Sequence, residues 1–207
     1  MNLGIFGPPG AGKGTQSNFI AKKFNLFQLS TGALLRREIE NKTKLGSEIL
    51  SIINSGNLVS DQIVSKLIET FIGNKEFKSK LIFDGYPRNI EQAQNLNNLL
   101  HKYDQKIDLA IELSDSLKTI KKRILERQIQ EKRADDKEEI AIKRYETYEK
   151  NIRPVIDFYK QSNLLKVVKG EASISEINVE ISDLIETIKG WLYTISQYKY
   201  EVKTLTH

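Results

Sequence analysis

The 207-residue chain has no cysteine, which excludes disulfides and any zinc site built on thiolates. Its two histidines, His101 and His207, read as surface residues with no part in catalysis. No apolar run approaches the roughly 20 residues needed to cross a bilayer. No basic segment followed by an apolar stretch and a small-residue cleavage site opens the chain. The first strand begins almost at Met1, so a cytoplasmic protein is expected. There is no charged tail either. The net charge of +5 is spread along the chain, which reads as a solvated surface and implies neither a nucleic-acid nor a membrane partner. Internal repeats and low-complexity linkers are absent. With 39% hydrophobic and 29% charged residues, the balance is that of one soluble globular core with room for small insertions.

Strands and helices alternate along this core. Short apolar strands are predicted at 1–6, 27–29, 80–83, 107–113 and 164–168. Helices are predicted at 13–24, with Phe19, Ile20 and Ala21 facing inward, at 90–103, 116–128 and 173–189, and at 136–161, where Pro154 should kink or split the helix. Residues 31–73 read as helical with breaks at Asn41, at Ser55-Gly56-Asn57 and before Ser60, a plausible N-cap. The alternation predicts an α/β fold, a parallel sheet covered on both faces.

Between the first strand and the first helix stands Gly7-Pro8-Pro9-Gly10-Ala11-Gly12-Lys13-Gly14-Thr15. Glycines let the backbone turn so that successive N–H groups face phosphate oxygens, and the helix start adds partial positive charge. Lys13 can reach β- and γ-phosphates, and Thr15 can offer its hydroxyl to a metal or phosphate. Gly14 intervenes where the general pattern has Ser or Thr directly after Lys. The loop implies a nucleoside triphosphate site, and by itself it does not separate a kinase from a GTPase switch or a motor. A guanine-reading Asn-Lys-x-Asp is missing, since Leu113-Ser114-Asp115-Ser116 follows the fourth strand instead.

A second anion site can be built from Arg36 and Arg88, whose planar forks grip phosphate oxygens in pairs. Arg36 lies about one helical turn beyond Thr31, so both can face one groove. Arg88 follows a strand end, where ligands of open α/β sheets collect. A Gln92 amide can donate to one ring nitrogen and accept from an exocyclic amine, the pattern of an adenine edge. Further on, Arg123 and Arg127 share a helix face at i, i+4 spacing.

The loop, together with Leu29-Ser30-Thr31-Gly32-Ala33-Leu34-Leu35-Arg36, Asp84-Gly85-Tyr86-Pro87-Arg88 and Arg133-Ala134-Asp135-Asp136, resembles the adenylate kinase family in motif and order over roughly residues 1–189. The resemblance implies a phosphate-loop, three-layer fold with a five-stranded parallel sheet and Mg-ATP + AMP = 2 ADP as the reaction, with a UMP/CMP kinase as the alternative. It implies Lys13, Arg88, Arg127, Arg133 and Arg144 as catalytic. ATP would take Gly10, Ala11, Gly12, Lys13, Gly14, Thr15, Arg123, Arg127 and Gly170. AMP would take Thr31, Arg36, Asn57, Leu58, Val59, Gly85, Arg88, Gln92, Arg133 and Arg144. Asp84 would hold the Mg²⁺ shell through water, and Asp135 and Asp136 would pin or cap the closed lid. UMP/CMP kinases of this family have Asn where Gln92 stands and Ala where Thr31 stands, which favours AMP; Asn89, by contrast, resembles the pyrimidine enzymes. Ala33 departs from the family's usual Asp.

By the same resemblance, residues 1–29, 60–126 and 137–189 form the core, 30–59 a mobile monophosphate-binding domain, and 127–136 a short lid with no zinc. The expected partners are ATP, AMP and ADP, and a monomer is expected. Residues 190–207 extend past the family's usual end with the only Trp and three of the eight tyrosines. Aromatics at that density predict a segment packed on the core, with a self-association surface as the alternative.

Overall fold

A computed structural model describes residues 1–54, 59–131 and 138–205 of the chain. Its strands are β1 (Leu3–Phe6), β2 (Phe27–Ser30), β3 (Leu81–Asp84), β4 (Leu109–Ser114) and β5 (Leu165–Lys169). The helices are α1 (Lys13–Phe24), α2 (Thr31–Glu40), α3 (Lys44–Asn54), α4 (Asp61–Ile72), α5 (Ile90–Lys102), α6 (Leu117–Glu131), α7 (Glu138–Gln161) and α8 (Ile174–Leu205). All strand pairs are parallel, in the order β2-β3-β1-β4-β5. With β3 on one side of β1 and β4 on the other, a crevice opens past the carboxyl ends of these strands, where ligands of such sheets bind.

Side-chain alternation along the strands divides the core into two layers. Leu3, Ile5, Ile82, Leu109, Ile111 and Leu113 pack on one face with Ile20, Ile120, Ile124, Ile181 and Ile185. Phe6, Leu81, Phe83 and Ala110 pack on the other with Ile68, Leu96, Val155 and Tyr159. Helix α7 serves both layers. Ala141 lies in the first and Ile152, Val155 and Ile156 in the second, so this helix, about 36 Å long, reaches both layers.

Three expectations are corrected. Phe19 is 49% exposed, because the buried face of α1 is Gln16, Ser17, Ile20 and Phe24. Phe19 sits about 100° round the helix from Ile20. Pro154 does not divide α7, which runs unbroken past it; buried Ile152, Val155 and Ile156 hold the helix down around the missing N–H donor. Finally, α8 does not end at Lys189 but continues as helix to Leu205. Trp191 is 70% and Tyr193 68% exposed, so the start of the extension is not packed on the core.

Candidate active site at the carboxyl edge of the sheet

The phosphate loop turns through Gly10 (φ 87°) and Gly12 (φ 84°), left-handed values that a side chain would strain. Gly12 is the N-cap residue of α1, so the loop delivers its amides straight into a helix start. Lys13 Nζ donates to the carbonyls of Gly7 (2.7 Å) and Pro8 (2.9 Å). An ammonium has three donors, so one remains for an incoming oxygen.

Burial lowers the Lys13 pKa from 10.5 to about 8, against the opposing pull of Asp84. Arg88, Arg144 and Arg127 lower it further, each by like charge, in that order. Residues from the first βα turn, the end of β3, α6 and α7 therefore share one electrostatic centre. The cavity beside it holds ≈ 1100 Å³ of empty space, mouth included, room for a mononucleotide and its phosphates. Lys13 and Arg144 line it together with Thr31, Arg36, Val59, Gly85, Arg88 and Gln92.

On the acceptor side, Ser30 caps α2 and sets Thr31 in its first turn, facing β3. Thr31 Oγ1 donates to the Gly85 carbonyl (3.0 Å), which also accepts from Arg88 Nε (2.7 Å). Gln92 is 2% exposed; its Oε1 accepts from Arg88 N (2.8 Å), and its Nε2 donates to Asp61 Oδ1 (2.6 Å). Asn89 is the N-cap of α5. Its Oδ1 accepts from Gln92 N (2.7 Å), and its Nδ2 donates to Asp61 Oδ2 (3.1 Å). Those bonds commit Asn89 to capping, and the likeness to pyrimidine enzymes at this position loses its force.

Asp84 ends β3 beside the loop, 6% exposed, with Oδ2 accepting from Gln28 Nε2 (2.9 Å). A Cβ on Gly14 would stand 3.7 Å from the same oxygen. This hard carboxylate oxygen, beside Gly14, suits Mg²⁺, which prefers oxygen ligands and keeps several waters. Among the described residues, no group of three or more His, Cys, Asp or Glu is placed to hold a metal by itself.

Arg123 is not among the residues that line the cavity. Its Nη1 donates to both oxygens of Asp115 (3.2 and 3.3 Å), and its Nη2 to the Gly170 carbonyl (2.6 Å). Burial raises the Asp115 pKa, against the pull of Arg123. A Cβ at Gly170 would fall 2.3 Å from Asp115 Oδ2, so any side chain there must displace the Asp115 carboxylate. Asn57, Leu58, Arg133, Asp135 and Asp136 lie outside the described residues.

Sequence reasoning missed Asp61, Gln28, Asp115, and the wall formed by Thr147 and Tyr148 of α7. Asp115 could have been found, because it follows β4 as Asp84 ends β3. Asp61 and Gln28 act across long sequence separations that no local pattern reveals.

A parallel sheet with a phosphate loop after β1, and cations from four segments gathered round it, defines a phosphate-loop kinase. The comparisons narrow the class. The family model described as adenylate kinase matches residues 5–164. The adenylate kinase of Pelagibacter ubique (strain HTCC1062) is 41% identical over 212 residues, covering 90% of this chain and 100% of the relative. That of Bifidobacterium longum (strain NCC 2705) is 39% identical over 186 residues, again 90% and 100%. That of Fusobacterium nucleatum subsp. nucleatum is 37% identical over 207 residues, 89% of this chain and 98% of the relative. The chain belongs to the adenylate kinase family. Two of these relatives align along their full length and still leave about a tenth of this chain unmatched.

Proposed function

We propose that the protein catalyses reversible phosphoryl transfer, Mg-ATP + AMP = 2 ADP. One observation supports this most: the cavity that meets Lys13 on one wall is lined on the other by Thr31, Arg36, Arg88 and Gln92. A triphosphate module that only bound or hydrolysed ATP would have no use for a second arginine-lined anion site with a base-reading amide at its end.

In this reading the loop amides and Lys13 hold the β- and γ-phosphates of ATP. Arg36 and Arg88 hold the α-phosphate of AMP, aiming one of its oxygens at the γ-phosphorus. Arg127 and Arg144, with Arg133, meet the charge that spreads over the equatorial oxygens in transfer. Asp84 would hold the water shell of Mg²⁺, which would supply positive charge to offset the phosphates. Arg123 braces the ATP side through Asp115 and Gly170. We further assign 30–59 and 127–136 as segments that close over the substrates, since water left beside the γ-phosphate would turn transfer into hydrolysis. The substrates are the small nucleotides ATP, AMP and ADP, and we assign a monomer in the cytoplasm, where these nucleotides are held.

The test is a coupled assay of MgATP against AMP, UMP and CMP in parallel, with Arg88→Ala as control. AMP should be the best acceptor by kcat/KM. Arg88→Ala should lower turnover by about 100-fold or more, the usual effect of losing a cation from a dry transition-state site. Preference for UMP or CMP, or near-normal turnover in Arg88→Ala, would sink the reading.

A further inference from the structure

We infer that Asp61, at the start of α4, is a specificity-determining positioning residue: it locks the Gln92 amide in the one orientation that accepts a 6-amino purine and refuses a 6-oxo purine. This rests on AMP being the acceptor.

The argument is a count of donors and acceptors. A glutamine amide has two N–H donors and two acceptor lone pairs. One N–H goes to the Asp61 carboxylate at 2.6 Å, and one lone pair accepts the Arg88 backbone N–H at 2.8 Å. These partners leave no ambiguity about which end of the amide is nitrogen. An ionised carboxylate only accepts and a backbone N–H only donates, so the reversed amide would set oxygen against oxygen and N–H against N–H. Asp61 is steadied in turn by Asn89 Nδ2 at 3.1 Å, and Asn89 is fixed as the cap of α5. Gln92 is 2% exposed, so water cannot substitute for a lost partner at low cost.

What the locked amide has left is one donor and one acceptor, on a residue that lines the cavity while Asp61 does not. Adenine meets that pair with an acceptor at N1 and a donor at its 6-amino group. Hypoxanthine and guanine present N1–H and O6, the reverse. Uracil, with N3–H and O4, is refused in the same way, whereas cytosine presents the adenine order and must be rejected by ring size. The same Arg88 whose backbone fixes the amide carries the phosphate-binding side chain, so base and phosphate are read in one register.

The experiment measures kcat/KM for AMP and for IMP at saturating MgATP, with the KM for ATP, in the full-length wild type, Asp61→Asn and Asp61→Glu. An asparagine there can donate as well as accept, so the amide is released. The AMP-to-IMP preference should fall about tenfold or more in Asp61→Asn, the scale of one buried hydrogen bond turned unfavourable. The KM for ATP should move less than about twofold, and Asp61→Glu should keep most of the preference. If Asp61→Asn does not fold, Asp61→Ser replaces it, since serine is well accepted at a helix start. Lowered stability or turnover with an unchanged AMP-to-IMP ratio would overturn the inference and leave Asp61 as a favourable charge at a helix N-terminus. A wild type that prefers AMP alongside that result would leave the kinase reading intact. A wild type that fails to use AMP would overturn both.

Discussion

Raising the pH should switch off ATP capture before it affects the fold, and Lys13 is the reason. Its ammonium is bonded to the Gly7 and Pro8 carbonyls, and burial, helped by the like charges of Arg88, Arg144 and Arg127 and opposed by Asp84, brings its pKa from 10.5 to about 8. At pH 7 about nine-tenths of the free enzyme carries the charge, and at pH 9 about one-tenth. The kcat/KM for MgATP should therefore fall about tenfold between these values, while kcat at saturating ATP holds to higher pH because bound phosphates stabilise the ammonium. Stability moves the other way. The folded pKa lies below the unfolded one, so between about pH 8 and 10.5 the unfolded chain binds more protons and stability rises with pH. A drop from 10.5 to about 8 corresponds to about 3 kcal/mol in a fully dry site, and solvent screening of this partly exposed side chain reduces it to about 1–2 kcal/mol. Lys13→Met should thus be nearly inactive yet more stable than wild type at pH 7, with the advantage gone above about pH 10.5. Initial rates from pH 6 to 10 and urea melts at three pH values test both halves. A kcat/KM flat beyond pH 9.5, with no stability gain in Lys13→Met at pH 7, would refute the reasoning.

Gly170→Ala should push Asp115 off Arg123, because its Cβ would stand 2.3 Å from Asp115 Oδ2. We expect a loss of about 2 kcal/mol in urea melts and a KM for ATP raised severalfold, with the KM for AMP little changed. Asn2→Leu should cost about 2–4 kcal/mol with kcat unchanged, since the fully buried Asn2 side chain serves Leu81 N, Gln105 Oε1 and the Lys106 carbonyl. A dinucleotide joining two adenosines through five phosphates should bind at least about 100-fold more tightly than ATP or AMP alone, by spanning both sites. It should also slow amide exchange across residues 31–54 and 127–131, and protection there already equal to that of β1 in the free protein would contradict closure.

The parts of this molecule legible in the sequence are those whose signals are local. The phosphate loop is nine consecutive residues, and Arg88 and Asp84 announce themselves by following a strand. The strand and helix alternation placed every element of the sheet within a few residues, because each strand here is short, apolar and bounded by a break. Phe19 misled because one residue of helical phase decides between core and solvent. The expected split at Pro154 does not occur, because tertiary packing of its neighbours outweighs a single missing hydrogen bond. Asp61 stayed invisible for another reason. Its meaning depends on Gln92, 31 residues away, and on a donor count possible only once the three side chains are brought together.

The two edges of the sheet show why the chemistry sits where it does. At the amino edge, Asn2, Gln105 and Asp108 bond to one another, to Ser79 and Leu81, and to neighbouring carbonyls, pairing donor with acceptor inside the protein. Such a network rewards folding and offers nothing to a ligand. The carboxyl edge is built in the opposite sense. Lys13 stands among three arginines that each disfavour its charge, against the opposing pull of the Asp84 carboxylate. Burial adds to these like charges, so the folded state disfavours the Lys13 ammonium. In the proposed function, a phosphate entering the cavity would reverse that sign for the Lys13 ammonium. On that reading the penalty on the Lys13 ammonium would be greatest without ligand and least with phosphate oxygens beside it. In that reading the difference would add to the affinity for phosphates, which a surface assembled for stability alone would not do.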